Sequence, residues 1–265
     1  MDRAERLRRA LAERGTEWTA PVEWHGSVGS TNDLAKEHAR AGSPEWTAVL
    51  ADRQSGGRGR EGRVWVSPPG GLYLSVLLRP RFESISLVPL AVGVAVAEAV
   101  AEHGVEAALK WPNDVLVGGR KLGGILTEAS SAVSGVEWAV VGIGVNVGAS
   151  SDDLGEMRDA ATSIAVESGK APPVESVAAG VLGRLPGWYD GLGSHPAAVV
   201  AAWRERSVPW WGSLAEVRTA SSVLRGRLRD VDDGGALVVD LEEGGTRRVL
   251  SGELVRLRPV SPGRS

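Results

Sequence analysis

Apolar positions along the chain fall first into helical and then into strand-like spacing. Residues 3–14 set Leu7, Ala10 and Leu11 on one side of a charged segment, the pattern of a short amphipathic helix. The polar run Ser30-Thr31-Asn32-Asp33 precedes Leu34, Ala35 and Ala39, and reads as the N-cap of a helix that stops before Gly42 and Pro44. Residues 47–51 read as a strand, 56–69 as a glycine-rich loop ending in two prolines, and 72–78 as a buried strand. Residues 87–103 are apolar over most of their length and stop at Gly104, as a helix packed on a sheet would. Further strands are expected at 115–117, 124–128 and 138–141, and helices at 177–189 and 197–206. From Ser213 the pattern turns to short alternating runs separated by Asp232-Asp233-Gly234-Gly235 and Glu242-Glu243-Gly244-Gly245, which are hairpin signals. The sum is an α+β fold, with a central mixed β-sheet and flanking helices over residues 1–211 and a small β-barrel over 212–265.

A length of 265 residues exceeds the usual single-domain mode of roughly 100 to 150, which agrees with one large domain and a small companion. A net charge of -3 lacks the basic excess of a dedicated nucleic-acid binder, so any anion site is local. The absence of cysteine excludes disulfides and thiolate metal sites. The first residues are charged and carry no apolar core of a secretory signal, and no uninterrupted apolar run is long enough to span a membrane; a cytoplasmic protein is expected. Lysine occurs only at Lys36, Lys110, Lys121 and Lys170 against 26 arginines, so each lysine is a candidate for work that needs a compact, mobile charge.

The segment Gly57-Arg58-Gly59-Arg60-Glu61-Gly62 satisfies G-x-G-x-x-G after a strand. That fingerprint holds a pyrophosphate only where its last glycine opens a helix, and here Arg63-Val64-Trp65-Val66-Ser67-Pro68-Pro69 is extended and then broken. A nicotinamide site is therefore not expected. Either the loop offers Arg58, Arg60 and Arg63 to an anion on a backbone able to approach closely, or it is a solvated arginine-rich turn. Further on, Lys110-Trp111-Pro112-Asn113-Asp114 stands between strand candidates, and Lys121-Leu122-Gly123-Gly124-Ile125-Leu126-Thr127-Glu128 follows a Gly-Gly-Arg hairpin. Plain readings remain open for these too: a helix cap for Ser30 to Asn32, a hairpin turn for Asn113-Asp114, a solvated turn lysine for Lys121, and core positions for most tryptophans.

Those two motifs, with Gln54-Ser55-Gly56-Gly57-Arg58-Gly59-Arg60 before them and Gly142-Ile143-Gly144-Val145-Asn146 after, closely resemble the biotin protein ligase family in order and spacing. Ala161-Thr162-Ser163-Ile164 is similar to the segment downstream of the family's asparagine. The resemblance implies a C-terminal domain like an SH3 barrel and a two-step reaction. Biotin is activated with ATP to biotinyl-5'-AMP, releasing pyrophosphate, and is then transferred to a lysine of a biotin carboxyl carrier protein or domain. It also implies magnesium arriving with ATP, no protein-only metal site, no nucleic-acid or membrane partner, and a monomer or homodimer. Catalysis would fall to Lys121, Arg58 and Arg60. Biotin would be held by Ser30, Thr31, Asn32, Gln54, Gly57, Arg58, Gly59, Arg60, Lys121 and Gly124. The nucleotide would meet Arg60, Arg63, Trp65, Lys110, Asn113 and Asn146, and Asp114 would orient the acceptor lysine. The family often has another arginine where this chain has Glu61, and a glycine where it has Ser251.

The chemistry agrees with these roles. Adenylation brings a carboxylate against a phosphate, so positioned cations in a water-poor site lower the repulsion. A neutral ureido ring is best read by uncharged donors and acceptors, which Ser30, Thr31, Asn32 and Gln54 provide. The rival readings are a lipoate or octanoate transferase of the same architecture, which would lack the arginine loop, a DNA-binding repressor, for which about two dozen leading residues are too few, and an RNA-binding module, which would need stacking aromatics.

Overall fold

The computed structural model describes residues 1–81, 85–132, 135–154 and 159–258. Helix α1 (Arg3–Glu13) opens on a capping box, with the Asp2 side chain accepting from the Glu5 N–H and Glu5 accepting from the Asp2 N–H. It buries Leu7 and Leu11, as the apolar spacing requires. Helix α2 (Thr31–Arg40) follows β1 (Val22–His25) and precedes β2 (Ala48–Ala51). Strand β3 (Leu72–Leu78) is buried along its whole length. Beyond it come α3 (Val88–Ala101), β4 (Ala108–Lys110), β5 (Asp114–Val117), β6 (Arg120–Ala132) and β7 (Gly135–Val145).

The seven strands form one mixed sheet in the order β1-β2-β3-β7-β6-β5-β4, in which only β1 and β2 are parallel. Side chains alternate between its faces. Leu50, Leu74, Val76, Val141 and Ile143 join the main core with α3, α6 (Val174–Ser194) and α7 (Pro196–Glu205). The opposite face meets α2 in a small second core of Ala35, Ala39, Val49, Leu77, Trp138 and Val140. Between β7 and α6 the chain forms two short helices, α4 (Ser151–Leu154) and α5 (Ile164–Ser168). Helix α3 is apolar nearly all round because sheet and α6 cover it from both sides, and it ends ahead of Gly104 at φ 76°.

The C-terminal part is a separate antiparallel sheet of β8 (Leu214–Arg218), β9 (Val223–Val231), β10 (Leu237–Leu241), β11 (Thr246–Val249) and β12 (Glu253–Arg258), in the order β11-β10-β9-β8-β12. Its hairpins fall where the Asp-Gly and Glu-Gly signals stand: Asp232 accepts from the N–H groups of Gly234 and Ala236, and Gly235, Gly244 and Gly245 all have positive φ. The described strand pairings trace an open sheet, and residues 259–265 of the expected 212–265 region lie outside the described residues. Trp111 Nε1 donates to the Gly235 carbonyl at 3.1 Å and joins the two sheets. Among the described residues no helix is long and apolar enough to cross a membrane.

Several carboxylates that tie elements together are held below their ordinary range. Burial alone would push Glu102 up, but Arg184 and Arg14 outweigh it, and around Glu175 its own backbone N–H with Arg6 and Arg3 does the same. A depressed folded value contributes stability above the unfolded carboxylate range, near pH 4, and that stability is lost as pH falls through the folded values. Melting temperature should therefore hold from pH 7 to about pH 5 and decline toward pH 3; a flat profile in thermal melts across that range would contradict the assignment.

Candidate active site

Strand register builds the site floor. On the face toward α2, three cross-strand rows run across β6, β7 and β3: Gly124–Gly144–Tyr73, Leu126–Gly142–Ser75 and Glu128–Val140–Leu77. Two rows thus carry bare positions beside polar side chains. The Trp65 indole lies across the first, and a Cβ on Gly144 would stand 2.7 Å from its ring. Asn32 lies across the second, where a Cβ on Gly142 would stand 2.2 Å from its Oδ1. The third row is apolar where α2 packs and ends in the Glu128 carboxylate.

The first turn of α2 lowers a polar strip onto this floor. Ser30 takes the cap position by backbone but makes no side-chain cap bond, and Ser30, Thr31 and Asn32 are all buried. Gln54 Oε1 accepts from the Thr31 N–H at 2.9 Å and from its hydroxyl at 3.1 Å, while Gln54 Nε2 donates to Ser67 Oγ at 3.0 Å. Ser75 Oγ stands 2.6 Å from Asn32 Oδ1 and 2.8 Å from Thr31 Oγ1. The Asn32 amide in turn donates to Glu128 at 2.8 Å.

The glycine–arginine loop forms the roof. It makes one 3₁₀ turn at Arg60–Gly62 and then runs extended, with no helix opening on its last glycine, so the dinucleotide reading fails on geometry. Gly57 lets the returning strand come close, since a Cβ there would stand 2.4 Å from the Trp65 carbonyl. Each arginine has its own acceptor. Arg58 grips Asp33 through two bonds of 2.6 and 2.7 Å, Arg60 donates to the Gly252 carbonyl and Ser251 Oγ at 3.0 Å each, and Arg63 donates to Glu253 at 2.7 Å. Arg58 holds the Asp33 carboxyl far below the usual carboxylate range. Burial would raise Glu128, but Asn32, Lys36 and Arg58 outweigh it and hold the group below its ordinary range.

Away from that strip, β4 and β6 bring two lysines to one carboxylate on β5. Asp114 stands 2.5 Å from Lys121 Nζ and 3.3 Å from Lys110 Nζ, and Lys121 Nζ lies 5.4 Å from the Trp65 ring centroid. Trp65 Nε1 is buried and has no acceptor among the described residues. Asn113 closes the turn by donating to the Ile125 carbonyl at 2.8 Å.

One cavity of about 190 Å³ joins the strip, the floor, the roof and the lysines. Of the residues singled out in the sequence, it is lined by Ser30, Thr31, Asn32, Gln54, Arg58, Gly59, Arg60, Arg63, Trp65, Lys110, Asn113, Asp114, Lys121 and Gly124. Gly57 and Asn146 are not brought to its wall; Asn146 instead donates to the Thr162 carbonyl at 2.9 Å, beside the Lys121 backbone. Sequence reasoning missed Tyr73 and Glu253 as lining residues. Tyr73 was legible as the alternate position of a strand whose partners are glycines, whereas Glu253 arrives from the other sheet and left no local signal.

Residues 25–146 match the model of the biotin/lipoate A/B protein ligase family, and residues 216–256 match the biotin protein ligase C-terminal domain. The chain is 34% identical over 222 residues to the bifunctional ligase/repressor BirA of Bacillus spizizenii, covering 82% of this chain and 68% of that one. It is 31% identical over 261 residues to the biotin--[acetyl-CoA-carboxylase] ligase of Mycobacterium tuberculosis, covering 95% and 94%. Among solved structures, the biotin protein ligase from Aquifex aeolicus in complex with biotin and ATP superposes with a TM-score of 0.77 at 31% identity, over 91% of this chain and 99% of that one.

Proposed function

The chain belongs to the biotin protein ligase family, and from that premise we propose that its cavity activates biotin with ATP as biotinyl-5'-AMP and passes the biotinyl group to a lysine of a biotin carboxyl carrier domain. One observation carries the reading: a single cavity is lined both by an uncharged strip of Ser30, Thr31 and Gln54 and by the cations Lys121 and Arg60. A neutral ring fits the first and a carboxylate fits the second.

In the first step a carboxylate oxygen of biotin attacks the α-phosphorus of ATP and pyrophosphate leaves. Lys121 and Arg60 neutralise the two anions as they meet, and the roof excludes water from the mixed anhydride. Magnesium comes with ATP and is held mainly by its phosphates. Trp65 and Asn113 border the nucleotide end, where the unpaired Trp65 N–H can donate to a ligand. In the second step the neutral amine of the acceptor lysine attacks the acyl carbon, AMP leaves, and the proton released from the new amide nitrogen passes to solvent. Asp114 orients that amine by accepting one of its hydrogens, in place of one of the two lysines it now holds.

The reading is tested by incubating the chain with labelled biotin, MgATP and a carrier domain, then denaturing. Label should remain covalently on the carrier only when ATP is present; label lost on denaturation would defeat the proposal. We read residues 212–265 as an SH3-like unit that supports the loop through Ser251, Gly252 and Glu253 and binds no biotin itself. Deleting it should depress turnover by at least about tenfold, since charge-assisted bonds to Arg60 and Arg63 are lost together. Biotin binding by the isolated C-terminal unit, measured by equilibrium dialysis, would contradict that role.

A further inference from the structure

The reading above gives the Glu128 carboxylate no role, yet it stands at the head of the hydrogen-bond chain behind the uncharged strip. It accepts from Asn32 Nδ2 at 2.8 Å and from Lys36 Nζ at 2.9 Å, and Lys36 is itself fixed by Asp33 at 2.9 Å. We infer that Glu128 is a positioning residue that fixes which way round the Asn32 amide lies, and thereby turns the Thr31 hydroxyl oxygen toward the cavity as an acceptor for a ring N–H. The inference rests on the biotin-ligase reading for the identity of that ring.

Hydrogen-bond polarity runs one way along this chain. A carboxylate only accepts, so Asn32, which is 4% exposed, must turn its NH₂ to Glu128 and its oxygen to Ser75. That oxygen cannot donate, and Ser75 has one hydroxyl hydrogen, which serves Asn32 Oδ1 at 2.6 Å, the nearer of its two neighbours. The Thr31 hydroxyl likewise has one hydrogen, which goes to Gln54 Oε1, and with the Ser75 hydrogen committed to Asn32 the Thr31 lone pairs are left for a ligand. An Asn32 amide lying the other way would donate to Ser75 Oγ and free the Ser75 hydrogen for Thr31, taking up one of those lone pairs. The Asn32 NH₂ is spent on Glu128 and, at 3.4 Å, the Leu126 carbonyl, so Asn32 works as a strut behind Thr31. Gly142 leaves room for that strut, because any side chain there would occupy the place of the amide.

The test uses the full chain with Glu128→Leu, which keeps the bulk and removes the acceptor. Biotin-dependent exchange of pyrophosphate into ATP is measured for biotin and for an analogue methylated on one ureido nitrogen, alongside melting temperature. The KM for biotin should rise about tenfold, as for a buried donor left unpaired, while the KM for ATP stays within about twofold. The preference for biotin over the methylated analogue should shrink by a similar factor, an effect that general loosening of the fold would not produce. An unchanged KM for biotin, or KM values for biotin and ATP that rise together with the preference intact, would overturn the inference. Should the leucine variant fail to fold, Glu128→Ala gives the same readouts with water admitted to the gap. A wild-type chain that shows no biotin-dependent exchange sinks the functional reading and this inference with it, whereas an active wild type with a normal Glu128→Leu variant sinks the inference alone.

Discussion

Replacing Lys121 by alanine should lower biotin-dependent pyrophosphate release by at least about tenfold, and by about a hundredfold if Lys121 contacts charge that develops only in the transition state. The fold should survive. Lys121 is about a third exposed, and its ion pair with Asp114 is of the solvent-reached kind that contributes about 1 kcal/mol or less to stability. Asp114 also keeps Lys110 at 3.3 Å, so the mutation does not strand a carboxylate. Lys121→Arg should not restore the rate, since the planar fork cannot place a point charge where the ammonium now sits between Asp114 and the Trp65 ring. Pyrophosphate release and thermal melting measured on both variants decide the matter; wild-type release from Lys121→Ala would remove Lys121 from the reaction.

The elements legible in the sequence are those whose burial is uniform. Residues 72–78 were readable as a strand because both faces of β3 are covered, and 87–103 as a helix because α3 is enclosed by the sheet and α6. The short edge strands β1 and β4 went unread: each has only three or four residues, and most of their side chains are half-exposed. Strands β6 and β7 are longer than expected for a different reason. Gly124, Gly142 and Gly144 interrupt the apolar alternation, and those same bare positions let Trp65 and Asn32 lie on the sheet. Local signal was therefore weakest where the cavity is built. The Ser30 cap expectation shows a similar limit: the backbone caps α2, but the side chains beyond it turn to Gln54, Ser75 and Glu128, partners that lie 23 to 96 residues away.

Arg60→Ala should release biotinyl adenylate more readily than the wild type while contacts to the biotin ring persist. The loop over residues 56–69 is costly to order, at roughly 1 to 2 kcal/mol per fixed residue and more at its glycines. Repulsion among three arginines would add to that cost, but the fold offsets it, because Arg58, Arg60 and Arg63 each meet a separate acceptor. Both departures from the family pattern take part: Ser251 Oγ accepts from Arg60, and Glu61 stands 3.6 Å from Arg63. Two of these latches reach the C-terminal sheet, so the roof closes by joining the two sheets over the cavity. An adenylate phosphate adds an anion beneath the roof, and one charge-assisted bond from Arg60, about 1.5 to 3 kcal/mol, shifts the open–closed balance by about ten- to a hundredfold. Cleavage within residues 58–63 under limited proteolysis should slow by that order when a non-hydrolysable biotinyl adenylate analogue is added. In Arg60→Ala the protection should shrink and adenylate should appear free in solution, where it acylates lysines of bystander proteins. Ser251→Ala should lie between the two, since it removes one acceptor of Arg60 and leaves the Gly252 carbonyl in place. Equal cleavage with and without the analogue would show that the roof is indifferent to the intermediate, and Arg60 would then have to act on the chemical step alone, with a fall in adenylation rate and no leakage.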